Sequence, residues 1–241
     1  QQLYGELITA NIYRIKQGDE SLTALNYYTG KEITIPLNPT KSHSVNAQYY
    51  YKQYNRMKTR EHELNHQIKL TKENIDYFDN IEQQLNHITV NDIDDIREEL
   101  AEQGFMKQRK ANKKKKHSQI QLQTYQSSDG DTILVGKNNK QNDYLTNKKA
   151  HKNHIWFHTK DIPGSHVVIL NHSPSDKAIK EAAMVAGYFS KAGNSGQIPV
   201  DYTEIRHVHK PSGAKPGFVT YDNQKTLYVT PDYDKIQQMK E

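Results

Sequence analysis

The sequence contains no cysteine, and this absence excludes disulfide bonds, thiolate nucleophiles and metal sites built on cysteine. Hydrophobic residues make up only 34% of the chain, and no apolar run reaches the length of a membrane span or a signal-peptide core. We therefore expect no membrane partner and a reducing, cytoplasmic setting. Because one large globule would need more core, a chain of 241 residues this polar is expected to join an elongated element to a compact domain.

Glycine and proline are both absent between Thr40 and Gly104, and this stretch carries the pattern of a long helix. Apolar residues recur there in alternating steps of three and four from Ala47 to Ile88, with one polar lapse at Glu61. Such spacing is typical of a coiled-coil seam, which needs a partner helix.

The partner of this seam is either the chain itself, folded back near Thr71, or a second copy of the chain. We favour the antiparallel hairpin, because the acidic segment NDIDDIREELAEQ must return the chain to the next domain. Residues 41–104 are therefore predicted to be a coiled coil that serves as a spacer without chemistry.

Acidic residues are scarce in the second part of the chain. Residues 1–104 hold 11 Lys or Arg against 16 Asp or Glu, whereas residues 105–241 hold 22 against 12, so the net charges are −5 and +10. The segment MKQRKANKKKK cannot form a core at this density of like charge, so residues 105–118 are predicted to be a basic linker. The positive excess favours a polyanion partner, with a solvated lysine-rich surface as the alternative.

From residue 119 the apolar period changes from that of a helix to that of a strand. One helix, from Ser175 to about Ala192, interrupts a series of predicted strands: QIQLQTY, DTILVG, HIWFH, HVVIL, EIRHVHK, GFVTY and TLYVT. Residues 1–40 predict only a helix and a hairpin, too little to fold alone, and so indicate the end of a larger domain. The predicted fold class is α+β: a long α-helical coiled-coil hairpin followed by a compact mixed α+β domain.

Several long motifs resemble one known family. The runs GKNNKQNDYLTNKKAHKNHIWFHTKDIPGSHVVIL and VDYTEIRHVHKPSGAKPGFVTY are similar to the NFACT-R domain, the RNA-binding module of the NFACT family. The runs MKTREHEL, YFDNIEQQL and DIREELAEQGF are similar to the middle region of its bacterial members. The resemblance covers essentially the whole chain, and it implies that residues 1–40 end the NFACT-N region and that residues 119–241 form the NFACT-R domain.

The resemblance also implies a function in ribosome quality control. Bacterial members bind a large (50S) ribosomal subunit obstructed by peptidyl-tRNA, with rRNA and ribosomal protein near the stalk base as partners, and recruit alanyl-tRNA. The subunit itself then adds C-terminal alanine tails to the stalled chain, so we expect a protein that is not an enzyme and uses no cofactor. The alternative function, from a historical label of these proteins, is a surface adhesin that binds fibronectin.

The segment HIWFHTKDIPGSHVVIL holds the only tryptophan and three histidines. In an extended strand His154, Trp156 and His158 share one face, and the residues between them lie on the other. The histidine face is suited to a half-exposed platform on which a base stacks, with Lys160 holding a phosphate. The alternative is a buried Trp156 with His158 hydrogen-bonded beside it.

The candidate RNA-binding residues are the cations and polar side chains of the linker, of this strand and of the loops around it: Lys107, Arg109, Lys110, Lys113, Lys114, Lys115, Lys116, Lys137, Asn142, Asp143, Lys148, Lys149, Trp156, His158, Lys160, His166, Lys210 and Lys215. Within this set Asn142 and Asp143 are expected to organise a turn and cap the next helix, which leaves Lys148 and Lys149 outward.

Other chemistry is weakly supported. His158, His166, His207 and His209 could converge on a metal, but the sequence has neither an HExxH motif nor a cysteine ligand, so we predict no metal site. Ser165 lacks the G-x-S-x-G context of a nucleophile, and GKNNKQND lacks the Walker pattern of a phosphate-binding loop. No catalytic residue is predicted.

Overall fold

The computed structural model describes residues 1–108 and 120–241, with the side chain of Asn91 excepted. Within these ranges the chain forms two compact units, residues 1–73 and 74–241. The predicted domain boundaries at residues 40, 104 and 118 follow composition and family likeness rather than compactness, and they stay a prediction. Within the described residues no helix is both long and apolar enough to cross a membrane.

The first unit contains the predicted helix and hairpin. Its elements are α1 (Gln2–Ala10), a 3-10 turn (Ile12–Arg14), β1 (Ser21–Asn26), β2 (Lys31–Pro36) and the first part of α2 (His43–Leu85). Leu7 and Ile8 of α1 pack with the hairpin and with Tyr50 of α2 in one buried cluster. Residues 1–40 therefore share their core with α2, and their assignment as the end of a larger domain stays a prediction.

Helix α2 is continuous, so the predicted fold-back near Thr71 is wrong. The Thr71 hydroxyl donates to the Gln67 carbonyl at 2.8 Å, a bond within the helix rather than a cap of a new one. Seam residues of the first unit stay more than half exposed, with Met57 at 56% and Leu64 and Ile68 each at 52%. Among the described residues of this unit, no second helix covers them.

The chain reverses after α2, at residues 86–89, and α3 (Val90–Glu102) returns along its last turns. Ile96 of α3 is buried in one cluster with Tyr77 and Ile81 of α2. The hairpin therefore exists, but its second arm is short and lies wholly in the second unit.

The frame of the second unit is a six-stranded antiparallel sheet in the order β10-β7-β5-β6-β4-β3. Its strands are β3 (Gln123–Gln126), β4 (Thr132–Val135), β5 (Ile155–Thr159), β6 (Val167–Ile169), β7 (Ile198–Glu204) and β10 (Lys225–Val229). A separate pair is formed by β8 (Val208–His209) and β9 (Thr220–Tyr221). The helices are α4 (Asn139–Tyr144), continued by a π-helical turn (Leu145–Lys149), α5 (Asp176–Tyr188) and α6 (Tyr233–Gln238).

The central strand β5 is covered on both faces of the sheet. Phe157 of β5 lies on the face covered by α5, in the largest core cluster of the unit. Trp156 lies in a different cluster with Leu134 and Val168. The alternation predicted for this strand is confirmed, and so is the fold class, a long helix followed by a mixed α+β domain.

Two strand predictions are wrong or incomplete. EIRHVHK begins at the last residue of β7, forms a 3-10 turn (Ile205–His207) and pairs again only at Val208–His209. Strand β7 was not predicted, because Pro199 and the buried Asp201 interrupt its apolar alternation. Tertiary neighbours decide both cases, since Asp201 accepts hydrogen bonds from Tyr221 (3.0 Å) and Thr226 (2.6 Å).

Candidate nucleic-acid interface

The loop before α4 turns its polar side chains inward. Gly136 is required there, because a Cβ atom would lie 2.3 Å from Asn142 Oδ1. Asn138 is the N-cap of α4, and its Oδ1 accepts from the Gln141 N–H at 2.8 Å. The predicted capping role of Asn142 and Asp143 is wrong. Asn142 Oδ1 instead accepts from the His166 N–H, just before β6, at 3.1 Å.

Lys137 in this loop is paired with a carboxylate of α3. Its Nζ lies 2.7 Å from Asp92 Oδ2, and the two side chains are only 11% and 9% exposed. Asp92 also accepts from Gln141 Nε2 at 2.7 Å and from the Thr89 N–H at 2.8 Å. Burial alone would raise the pKa of Asp92, but hydrogen bonds from Lys137 and Thr89 outweigh it and hold the pKa below its usual value. The charged pair therefore joins α3 to the loop.

A second carboxylate of α3, Glu99, joins the same contact. Its Oε1 accepts from Asn139 Nδ2 at 2.8 Å and from the Tyr77 hydroxyl at 2.7 Å. Asn139 Oδ1 in turn accepts from Gln84 Nε2 at 2.7 Å, so one amide links α4 to both helices. Burial raises the pKa of Glu99 against the lowering effect of these hydrogen bonds. This connected network fixes the register of α3 on the domain.

Two further lysines near the loop are neutralised. Lys140 Nζ lies 2.9 Å from Asp95 and 3.1 Å from Glu98, both on α3. Burial by itself would lower the pKa of Lys140, but these two carboxylates raise it above its usual value. Lys210 is ion-paired with Asp143. Among the predicted RNA-binding residues, Asp143 and Lys210 therefore contact each other.

Lys215 contacts the helical hairpin. Its Nζ donates to Asn74 Oδ1 and lies 4.7 Å from the ring centre of Tyr77 and 5.2 Å from that of Phe105. The loop reaches this position through Gly217, whose φ is +77° and whose added Cβ would lie 2.1 Å from Asn139 Oδ1. Lys137, Lys210 and Lys215 thus all hold parts of the second unit together.

The predicted aromatic platform is buried. Trp156 is 0% exposed and His166 is 2% exposed. The Trp156 ring stacks on His158 with ring centres 5.7 Å apart and an interplanar angle of 8°, and His166 meets it edge-on at 5.3 Å. The half-exposed interpretation of Trp156 is wrong and the buried alternative is correct, because Leu145 and Tyr221, from segments outside the six-stranded sheet, pack in the same cluster as the ring.

The two histidines beside Trp156 are kept neutral by their surroundings. His158 Nε2 donates to the Gly164 carbonyl at 3.3 Å, and His166 Nδ1 shares a hydrogen bond with the Thr146 hydroxyl at 2.8 Å. Burial lowers the pKa of His158. Burial also takes the pKa of His166 well below its usual value, and the nearby His158 adds to this effect. These rings therefore act as core residues in the observed fold.

The remaining described candidates face solvent. Lys107, Lys148, Lys149 and Lys160 are exposed. Lys160 lies just beyond the end of β5, where its N–H donates to the Pro199 carbonyl at 2.9 Å, whereas Lys148 and Lys149 end the π-helical turn. The other candidates lie outside the described residues: Arg109, Lys110, Lys113, Lys114, Lys115 and Lys116.

Basic residues that are not among the predicted RNA-binding residues adjoin Lys148 and Lys149. We call the whole group the basic patch; its members are Lys148, Lys149, His151, Lys152, His154 and Arg206. A signal was present in the sequence, because KKAHKNH places five Lys or His in seven positions and no acid occurs between Asp143 and Asp161. Arg206 joins through its N–H, which donates to the Lys152 carbonyl at 3.0 Å.

The histidine set does not form a metal centre in the described ranges. No group of three or more His, Asp or Glu within residues 1–108 and 120–241 is placed to hold a metal ion. His207 Nδ1 instead lies 3.0 Å from Asp222 Oδ1.

Comparison with known proteins places both parts of the chain in one family. Residues 1–119 match the family described as NFACT N-terminal and middle domains, and residues 121–223 match the family described as NFACT protein RNA binding domain.

Curated relatives and a solved structure agree with this assignment. The Rqc2 homolog RqcH of Bacillus subtilis is 54% identical over 243 residues, which are 99% of this chain and 43% of that protein. The Rqc2 homolog RqcH of Streptococcus suis is 48% identical over 238 residues, 98% of this chain and again 43% of the relative. The chain thus spans less than half the length of these relatives.

The solved C-terminal part of the fibronectin/fibrinogen-binding protein from Streptococcus suis is 49% identical, with a TM-score of 0.75. The match covers 82% of this chain and 80% of that one. This chain belongs to the NFACT family, as an RqcH-type member.

Proposed function

We propose that this chain is part of a ribosome quality-control protein that binds RNA on the large ribosomal subunit. One observation supports this most directly: in the domain that matches the NFACT RNA-binding family, Lys148, Lys149 and Lys152 are exposed and have no ion-pair partner among the described residues. Cations of this kind bind phosphate groups without regard to sequence, and the affinity falls as salt rises.

The first unit is proposed to contact a second site on the subunit, formed by rRNA and ribosomal protein near the stalk base. Its sequence supports a contact with RNA, because five Lys or Arg and no acid occur between Glu32 and Glu61. Lys52, Arg56 and Arg60 of that stretch are exposed at four-residue steps of α2, a rise of about 6 Å per step. This spacing allows successive contacts along one strand of phosphates.

The whole protein is proposed to act on a 50S subunit that still carries peptidyl-tRNA, and to recruit alanyl-tRNA so that the subunit adds alanine to the stalled chain. In this mechanism the ribosome catalyses peptide transfer. The protein contributes binding and positioning and is itself not an enzyme. It needs no cofactor and works in the cytoplasm. The similarity to proteins named Rqc2 homolog RqcH supports this proposal.

Co-sedimentation tests the proposal. The 241-residue chain is mixed with purified 50S subunits carrying peptidyl-tRNA at increasing salt, and we expect binding that weakens steeply as salt rises. Recovery of alanyl-tRNA with the chain is compared with that of a protein extended to the length of its relatives, which is expected to recover more. Absence of the chain from the 50S fraction at low salt would contradict the proposal.

A variant of the linker adds a second test. Alanine at Lys113, Lys114, Lys115 and Lys116, which lie outside the described residues, is expected to weaken 50S binding and flatten its salt dependence. Unchanged co-sedimentation of this variant would mean that the segment only connects its neighbours.

Fibronectin binding is the second candidate, supported by the name of the similar Streptococcus suis protein. The same preparation is applied to immobilised fibronectin at physiological salt. Saturable binding there, together with absence from the 50S fraction, would favour the adhesin function.

A further inference from the structure

We propose that the basic patch is the surface on which the second unit holds the phosphodiester backbone of RNA, and that the segment at residues 136–143, the loop before α4 with most of α4, is not. This inference rests on the proposed function and goes beyond it, because it assigns the contact to specific residues. It also replaces most of the RNA-binding residues predicted from the sequence with the basic patch, whose central residues are Lys149 and Lys152.

The first step is the availability of charge. Lys137 is paired with the buried Asp92, and Lys140 and Lys210 also have a carboxylate at their Nζ, so a phosphate must compete with a carboxylate at each of them. Lys149 and Lys152 are exposed and have no such partner in the described part of the chain. Phosphate therefore meets uncompensated charge at Lys149 and Lys152, whereas carboxylates already offset the charge of the three paired lysines.

The second step is that the patch is held in place. The Ala150 N–H donates to the Leu145 carbonyl at 2.9 Å, which closes the π-helical turn below the lysines. The His154 N–H donates to the His151 carbonyl at 3.0 Å, and the His154 carbonyl accepts from the Ile205 N–H at 2.9 Å. The backbone that carries the cations is thus tied to the sheet, so less conformational entropy is lost when an anion binds.

The third step is the chemistry offered beside the lysines. The rings of His151 and His154 meet edge-on with centres 5.1 Å apart, and His154 Nδ1 accepts from the His151 N–H at 3.1 Å. Burial and the nearby His151 and His172 lower the pKa of His154, so its ring is neutral at physiological pH. Neutral imidazoles can donate and accept hydrogen bonds, as recognition of a ribose 2′-hydroxyl requires.

Arg206 frames the patch from the neighbouring chain segment. Its guanidinium donates to Asn153 Oδ1 and lies 2.7 Å from Glu204 Oε2, where both side chains are roughly half exposed. An exposed pair of this kind contributes little stability and can be exchanged for a phosphate contact. The patch therefore offers up to four cations to a strand of RNA.

The test is a charge-matched comparison in the 241-residue chain. One variant, K149A/K152A, removes two cations of the patch. The control, K180A/K240A, removes two exposed lysines, one on α5 and one beyond α6. Neither change touches a buried contact, and circular dichroism of each variant checks that the fold is kept. The probes are purified 50S subunits and, separately, deproteinised 23S rRNA.

We expect K149A/K152A to bind both probes on the order of tenfold more weakly and to lower the slope of log affinity against log salt by roughly one to two. The control is expected to change either quantity much less, and K149R/K152R is expected to restore binding. Equal losses in variant and control would overturn the inference, because total charge rather than position would then decide.

The remaining outcomes separate the possible failures. If K149A/K152A binds as tightly as the wild type and with the same salt slope, the inference is overturned and the proposed function stands. A loss seen with intact subunits but not with 23S rRNA assigns the patch to an acidic protein and also overturns it. Failure of the wild-type chain to bind either probe removes the proposed function and the inference together.

Discussion

Two groups of basic residues in the second unit look alike in the sequence and differ in the fold. Lys137, Lys210 and Lys215 turn towards carboxylate, amide or aromatic partners of the same unit. Lys148 and Lys149 face solvent at the end of the π-helical turn. The difference shows that the net charge of a segment overstates its attraction to polyanions. Only the cations without a partner inside the fold are available to bind phosphate.

The main internal partner is α3. This helix belongs to the acidic part of the sequence, and its carboxylates Asp92, Asp95 and Glu98 bind the lysines around α4. Inward cations should therefore govern the stability of the unit, and outward cations should govern its binding. Four predictions test that division, in order of decreasing effect.

Trp156→Ala tests the most deeply buried candidate. Removal of this fully buried ring is expected to lower the free energy of unfolding by about 3–5 kcal/mol, because it leaves a cavity between sheet and loops. Urea unfolding measures the loss. Trp156→Phe should lose less and keep the RNA affinity of the folded protein. A folded Trp156→Phe variant without RNA binding would contradict the buried, structural role.

Lys137→Ala tests the ion pair with α3. It leaves the buried Asp92 carboxylate without its cation and is expected to lower the free energy of unfolding by about 3 kcal/mol. Lys148→Ala, the matched exposed change, should stay within about 0.5 kcal/mol of wild type. Urea unfolding of both variants checks the difference. Similar losses in the two would remove the distinction between inward and outward lysines.

Mild acid should destabilise the second unit. The pKa values of His158 and His166 are lowered by burial, so below about pH 6.5 the unfolded chain binds more protons than the folded one. Stability is therefore fully present above that pH and falls as pH decreases towards the lower folded pKa values. His87 and His154 add to the fall, and Glu99, with its raised pKa, opposes it in the acidic part of the range.

The measurement is the urea midpoint at about pH 7 and about pH 5.5, above the range in which ordinary carboxylates titrate. We expect the lower midpoint at the lower pH, and a smaller pH effect in a folded His158→Gln variant. A midpoint that rises on acidification would show that His158 and His166 are not held neutral.

Lys140→Ala should have the smallest effect of the four. Its partners Asp95 and Glu98 are partly exposed, so loss of the contacts is expected to cost less than about 1 kcal/mol. The same urea titration measures it. A loss as large as that of Lys137→Ala would mean that burial does not separate the two pairs.

The sequence predicts the elements of this fold better than their contacts. The period of two in β5 assigns Phe157 and Trp156 to opposite faces, and the absence of glycine and proline predicts α2. The reversal at residues 86–89 was not predicted. Thr71 carries the same capping hydroxyl as Thr89, the N-cap of α3, and only the packing of Ile96 against Tyr77 decides between the two positions.

The candidate site was predicted less well, for a physical reason. Exposure of Trp156 depends on segments distant in the sequence, which cover the second face of the sheet. The pairing of Lys137 with Asp92 joins residues 45 positions apart, and no local pattern encodes it. The run KKAHKNH is visible in the sequence. It stands out as a binding surface only because Lys137, Lys210 and Lys215 have partners within the unit.

Lysine acetylation footprinting with and without bound 50S subunits tests the central claim most directly. The reagent modifies exposed amines, and mass spectrometry reads each lysine separately. We predict that Lys148, Lys149 and Lys152 react in the free chain and are protected in the complex, whereas Lys137 is slow in both states because Asp92 covers it. Protection of Lys180 and Lys240 with continued reaction of Lys149 and Lys152 in the complex would contradict the account.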